Sequence, residues 1–303
     1  MNKNNASINK ETVYLSAYLR ETDYGKPVFN QLVKELETAG YGVKIIVKHH
    51  NNNEWCRDYM PIKASDGSLV KFKYEPGYLM EAKKWRKTIP DTDKILLDMN
   101  IEVNDTCDLK LDGGAIEIHG RTGIISNRVI MENQPSSEKE ICNKIKDKLK
   151  LDRIVIIPIH PDDFTGHVDG TVRFINEHKV IISYDKDVLK DAVNLHTYKR
   201  KLIEQFYYSL RMSLYNAGLE WEYLTYAEGV QEDEKNQADN FNLYMNFLNL
   251  KDHIFMPSYN TDYYDEKAVK DLERFYPDKE IVPVLAKELS KQGGMINCVT
   301  WQL

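Results

Sequence analysis

Apolar and polar positions along this chain regroup in one recurring order. Residues 12–18 alternate with the period of a half-buried strand, 26–39 carry apolar residues at helical spacing up to Gly40, and 43–47 form a short β-branched run. The spacing predicts strand, helix, strand. A hairpin follows, 60–62 against 69–72, turning at Ala64-Ser65-Asp66-Gly67. The order then returns: hairpin 115–118 with 124–125, a helix from Glu138 to near Leu149 headed by Ser136-Ser137, and a strand at 154–157. Residues 171–175 and 180–184, a helix ending near Ala217 and a strand at 221–226 make the next copy. The last copy runs through strands 241–247 and 254–258, helix 265–275 and strand 281–284, and a short helix then leads to Gly293, Gly294, Cys298 and a closing apolar run.

Hairpin, helix and strand recurring at intervals of about fifty residues predict a pseudo-symmetric array, because such a unit cannot bury its own apolar face and packs against copies of itself. Four full units and an opening partial one predict a closed ring of five, with the final strand completing the first unit. No Pro/Gly/Ser-rich linker divides the chain, so residues 1–303 read as one α/β domain.

The repeat carries a spatial consequence. Asp58 in Trp55-Cys56-Arg57-Asp58-Tyr59-Met60-Pro61, Asp112 in Leu111-Asp112-Gly113-Gly114-Ala115-Ile116, His167 and Asp169 in the 166–174 stretch, and Cys298 after Gly293-Gly294 all fall just before or at the first strand of a unit. In a ring they converge on one pocket near the axis. A thiol where a Gly-rich turn meets a strand is held on rigid backbone and stays open to a ligand passing over the glycines.

Cysteine, histidine and several carboxylates in one pocket suit nucleophilic attack on a positively charged carbon, and guanidinium is such a group, planar and able to bind carboxylates bidentately. Asp58 and Asp169 are the candidates for that clamp, and Trp55 and Tyr59 for walls along the aliphatic part of a substrate. A free thiol has a pKa of about 8.5, so Cys298 needs a neighbouring cation, supplied by protonated His167 or by the guest. His167 can then give a proton to the departing nitrogen and take one from water. These steps call for no metal and no cofactor. The residues leave structural alternatives open: Asp58 pairing with Arg57, Asp112 capping the Gly113-Gly114 turn, His167 bonding Asp169 along a strand, and Cys298 as one more buried apolar residue. His49, His50 and His160 read as loop histidines.

Composition narrows the classes. Hydrophobic residues at 42% and charged residues at 29% belong to a globular chain, with no apolar run near the roughly 20 residues that cross a bilayer. The polar N-terminus lacks the apolar centre of a secretory signal, and Cys56, Cys107, Cys142 and Cys298 have neither zinc-ligand nor disulfide-scaffold spacing, which predicts reduced thiols in a cytoplasmic protein. A net charge of -6 disfavours nucleic acid as partner and accommodates a cationic ligand, while self-association into a homo-oligomer stays open.

Those four stretches, in that order, resemble the signature blocks of the agmatine deiminase and bacterial-type peptidylarginine deiminase family. The resemblance extends to Asn242-Leu243-Tyr244-Met245-Asn246 and to 265–278. It implies the pentein fold, a five-bladed α/β propeller, with Cys298 as nucleophile, His167 as general acid/base and Asp58 and Asp169 as guanidinium-binding carboxylates. Trp55, Asp112 and Asn297 are the further candidates for substrate contact. The implied reaction releases ammonia and leaves a ureido product through an amidino-thioether on Cys298. Met60, Asn297 and Trp301 depart from the family pattern, where glycine, histidine and glutamine are usual. Agmatine is the first substrate expected, with peptidylarginine or free arginine next, and an amidinotransferase or a catalytically silent binding pentein as further alternatives.

Overall fold

The computed structural model describes residues 11–47, 53–183, 197–226 and 243–303; His49 and His50 lie outside them. Among these residues, fifteen strands form five three-stranded sheets. Strands β1 (Thr12–Ser16) and β2 (Gly42–Ile46) are parallel and joined by helix α1 (Gly25–Thr38). The next unit is hairpin β3 (Ile62–Lys63) and β4 (Leu69–Lys73), helix α2 (Thr92–Asp98) and parallel strand β5 (Asp105–Lys110). The third is β6 (Ile116–His119), β7 (Thr122–Ser126), α3 (Glu138–Leu149) and β8 (Arg153–Ile157). The fourth is β9 (Val172–Asn176), β10 (Lys179–Ser183), α4 (Thr197–Asn216) and β11 (Glu220–Leu224). The fifth is β12 (Leu248–Asn249), β13 (His253–Ser258), α5 (Asp262–Phe275) and β14 (Glu280–Leu285). Strand β15 (Thr300–Gln302) then pairs antiparallel with β1, Tyr14 opposite Trp301, and completes the first sheet as the repeat predicts.

The core lies between the blades. Five clusters of buried apolar side chains occupy the five seams: Val13, Leu15 and Leu32 of the first blade with Phe255 and Val284 of the fifth, for example, and Ile124 and Val155 of the third with Val180 and Leu210 of the fourth. Helix α1 packs on β14, α3 on β5, α4 on β8 and α5 on β11, each against the last strand of the preceding blade. A period-2 strand and a period-3.6 helix each bury one face, and only the neighbouring unit supplies the other side. Two departures from the family pattern sit in the seam between the first two blades. Met60 is buried there, and Trp301 is 3% exposed, its ring 5.0 Å from that of Tyr14 and its Nε1–H donating to the Pro61 carbonyl at 2.7 Å. Tyr59, expected as a pocket wall, is buried in the same cluster.

One local expectation changes. The segment ahead of β13 is not a strand over 241–247: its described part is a 3-10 turn, Leu243–Met245, followed by β12 alone. The carbonyls a ladder would use are taken elsewhere, those of Met245 and Phe247 by the Arg173 guanidinium and that of Asn246 by the Asn297 N–H. Cys298 stands just ahead of the closing strand as expected, in a turn where Val299 N–H bonds to Met295 and Thr300 N–H to Asn297, and the strand begins at Thr300. His160 is on the loop after β8 as expected, and its side chain turns into the core, 2% exposed with its ring 4.7 Å from Phe206, where burial pulls its imidazole down to about 3.

Candidate active site

Each blade sends the turn before its innermost strand toward the axis, and those turns carry the chemistry. Asp58 lies on the single helical turn Cys56–Tyr59 ahead of β3, Asp112 ahead of β6, His167 and Asp169 ahead of β9, Asn246 ahead of β12 and Cys298 ahead of β15. All six side chains are buried, none more than 8% exposed.

The turns hold one another. Arg57 N–H donates to the Cys298 carbonyl at 3.1 Å, and the Cys56 thiol donates to the Val299 carbonyl at 3.0 Å. Burial pushes that thiol up to about 12, so Cys56 is a structural tie. The Gly114 carbonyl accepts from Val168 N–H at 2.8 Å, and Gly114 N–H donates to Asp58 Oδ1 at 3.2 Å. A Cβ at Gly114 would stand 2.6 Å from His167 Nδ1 and 2.7 Å from Asp58 Oδ1, so only glycine lets this backbone pass between them. Gly294 also serves packing. The Trp55 ring fills its side-chain position, Cζ3 only 2.5 Å from where a Cβ would be, so the glycine seats an aromatic beside the thiol's turn in place of the open approach the sequence suggested.

His167 bridges two acids, Nε2 to Asp112 Oδ2 at 3.2 Å and Nδ1 to Asp58 Oδ1 at 3.6 Å. The alternatives left by the sequence resolve accordingly. Asp58 faces the imidazole, while Arg57 donates Nε to the Asn297 carbonyl and a terminal nitrogen to Gln302. Asp169 turns away to the thiol side, Oδ2 lying 3.6 Å from Cys298 Sγ and accepting from Asn297 Nδ2 at 2.7 Å. Asn297 therefore holds a carboxylate, which is what its side chain does in this site.

Burial alone would pull the imidazole down, but Asp58, Asp112 and Asp169 outweigh it and raise His167 to about 10. Burial pushes Asp58 up to about 7, against the pull of His167 and with Asp112 and Asp169 adding to the rise. Cys298 is driven well above an ordinary thiol by burial first, then by Asp169 and Asp58. Three carboxylates around one imidazolium leave an excess of buried negative charge, and a cation placed among them relieves it.

Tyr78 stacks edge-on to His167 at 6.2 Å and to Phe164 at 5.6 Å. Tyr74 bonds Tyr78, and burial together with the charges of Asp58 and Asp112 holds both phenols in the neutral form. Neither tyrosine nor Asn246 was singled out from the sequence. Asn246 precedes the innermost strand of its blade as the others do, but the sequence reads 241–247 as a strand and so hides it; the tyrosines sit in the segment after β4, away from the turns that the repeat makes countable. A cavity of about 370 Å³ opens beside this cluster, lined by Arg57, Gly113, Glu117, Arg173, Asn297 and Gln302 and by none of the six turn residues. Arg57, Gly113 and Asn297 face it while their chain neighbours Asp58, Gly114 and Cys298 face the acids, so one layer of residues separates the two. Among the described residues no group of three His, Cys, Asp or Glu side chains is disposed to hold a metal ion, and no helix is long and apolar enough to cross a membrane.

A five-bladed ring of ββαβ units whose inner turns gather a thiol, an imidazole and carboxylates defines a pentein. The chain belongs to the Porphyromonas-type peptidyl-arginine deiminase family, whose model matches residues 6–303. A Lactococcus lactis protein provisionally named an agmatine deiminase is 24% identical over 85% of this chain and 76% of its own. The agmatine deiminase of Enterococcus faecalis superposes with a TM-score of 0.72 at 19% identity, covering 97% of this chain and 93% of that one. DDAH from Pseudomonas aeruginosa, solved with citrulline, shares the fold at a TM-score of 0.58 and 10% identity over 97% of this chain and 99% of its own.

Proposed function

We propose that this protein is a hydrolase that converts a guanidino group to a ureido group with release of ammonia, and that agmatine, yielding N-carbamoylputrescine, is its substrate. The observation that carries this reading is the buried excess of carboxylate around one imidazolium beside a thiol. Asp58 and Asp169 take opposite edges of the guanidinium plane, and the arriving cation lowers the cost of ionising Cys298 next to them. The thiolate adds to the guanidinium carbon, His167 protonates the leaving nitrogen, and ammonia departs from the tetrahedral adduct to leave an amidino-thioether on Cys298. Neutral His167 then accepts a proton from attacking water, the C–S bond breaks, and the ureido product leaves. Asp112 orients the imidazole. Trp55, Phe164 and Tyr78 form the apolar rim for a slender aliphatic tail, which favours agmatine over a peptide. The names of the Lactococcus and Enterococcus relatives support the same substrate, and the citrulline of the DDAH complex is a ureido compound. Residues 1–303 act as one catalytic unit on this reading.

Agmatine, free arginine and an arginine-containing peptide should be offered in parallel, with ammonia measured and the products weighed. Agmatine is expected to give ammonia and N-carbamoylputrescine. Ammonia from none of them overturns the hydrolase reading, and a new guanidine formed only with an added amine replaces it by amidino transfer.

Gly114→Ala tests the close backbone passage. With the methyl driven against His167 and Asp58, kcat/KM for agmatine is expected to fall about tenfold to a hundredfold, because sub-ångström displacement of reacting groups costs that much. Unchanged steady-state kinetics in a folded variant would show that the contact is not needed.

A further inference from the structure

The cavity of about 370 Å³ behind the acid cluster has a charged wall, Arg57, Arg173 and Lys63 against Glu11 and Glu117, three cations to two carboxylates. Both carboxylates are in use. Glu117 Oε1 accepts from Arg173 Nε at 3.1 Å, and Glu11 Oε2 accepts from the Lys251 N–H at 2.8 Å. Arg173, 4% exposed, also gives a terminal nitrogen to the Met245 and Phe247 carbonyls at 3.2 and 2.7 Å. Arg57 has only neutral partners. Its Nε donates to the Asn297 carbonyl at 3.3 Å and a terminal nitrogen donates to Gln302, and among the described residues no carboxylate stands within ion-pair distance of it. A guanidinium carries five N–H donors, so most of those of Arg57 are left without a protein acceptor. Burial, with the like charge of Arg173 adding to it, holds this guanidinium below its usual value, and an anion in the cavity relieves both.

We propose that this cavity is a binding site for a small monocarboxylate, held bidentately by Arg57 and drawn in by Lys63, which is exposed at the rim. Charge and shape set the chemistry. A monoanion neutralises the one cation in excess, whereas a phosphate or sulfate dianion sets surplus negative charge against Glu117 and Glu11. A carboxylate matches the planar fork of a guanidinium. Ile62, Ile116 and Trp301 complete the wall, and the volume leaves room for a short aliphatic body behind the carboxylate. Two guanidinium side chains repel a second guanidino substrate, so the cavity is no copy of the acid cluster. The site asks nothing of Cys298 and is independent of the reaction proposed for that cluster.

The test is titration calorimetry at constant ionic strength with butyrate as the probe and sulfate as the competing anion, on wild type, Arg57→Gln, Lys63→Glu and His167→Gln. Wild type is expected to bind butyrate saturably, once per chain and more tightly than sulfate. Binding should weaken about tenfold or more in Arg57→Gln, which removes the fork, and about threefold in Lys63→Glu, which reverses an exposed charge. His167→Gln should stay within about twofold of wild type, because the imidazole lies on the far side of the separating layer. No saturable heat, tighter binding of sulfate, or affinities in Arg57→Gln and Lys63→Glu equal to wild type would each overturn the proposal. So would a loss confined to His167→Gln, which seats the anion on the imidazolium. If Arg57→Gln does not fold, Lys63→Glu decides.

Discussion

Cys298→Ser is expected to lower ammonia release from agmatine more than about 10⁴-fold while the folded structure and substrate binding persist. Serine is nearly isosteric and keeps the backbone N–H that Asn246 Oδ1 accepts, so the turn before β15 should hold. What it cannot do is ionise. A serine hydroxyl is activated by a neutral base within reach, and here the imidazole is already protonated, held at about 10 by Asp58, Asp112 and Asp169 against the effect of burial. A thiol needs no such base, because a neighbouring guanidinium and an amide donor bring its own ionisation within range. Stopped turnover with agmatine affinity within a few fold of wild type, by calorimetry, is the expected pair of results. Residual turnover above roughly one part in a hundred would remove Cys298 from the reaction.

Why Cys298, His167 and the aspartates could be read from the chain while other parts of the site could not follows from what each depends on. The repeat writes itself into sequence as hydrophobic period, and the position before each inner strand is countable from it, which is how the sequence alone groups Asp58, Asp112, His167, Asp169 and Cys298. Asn246 shares that position, but its blade is the irregular one: Arg173 and Asn297 take the carbonyls of 245–247 and leave β12 only two residues, Leu248–Asn249, so no strand start marks it. Partner choice within the site was also hidden. An extended segment would put His167 and Asp169 on one face, whereas the Thr171 and Val172 N–H groups bond back to Val168, coil the segment and send the two side chains to different partners, Asp112 and Asn297. The meaning of Gly294 depended on a ring distant in sequence, Trp55, and period carries no record of such a contact.

Asp58→Asn separates binding from folding more sharply than any other change at this site. In the wild type, burial first, and then Asp112 and Asp169, raise this carboxyl to about 7 in spite of His167. The folded protein therefore binds that proton more tightly than the unfolded chain, where an aspartate titrates at about 3.9, and the contribution of Asp58 to stability is lost as pH rises from about 4 through about 7. Asparagine has no such charge to bury, so above pH 7 the variant is expected to melt no lower than wild type, less whatever His167 loses with its partner. Substrate capture moves the other way. Removing one charged partner from a buried, bidentate guanidinium pair costs roughly 2–5 kcal/mol, so kcat/KM for agmatine should fall about 10³-fold. The pH profile should change with it: wild-type kcat/KM climbs as the Asp58 carboxyl ionises near pH 7, and that limb should be missing from the variant. A variant whose melting temperature collapses in step with its activity, or whose acid limb is unchanged, would mean that Asp58 supports the ring without holding the cation.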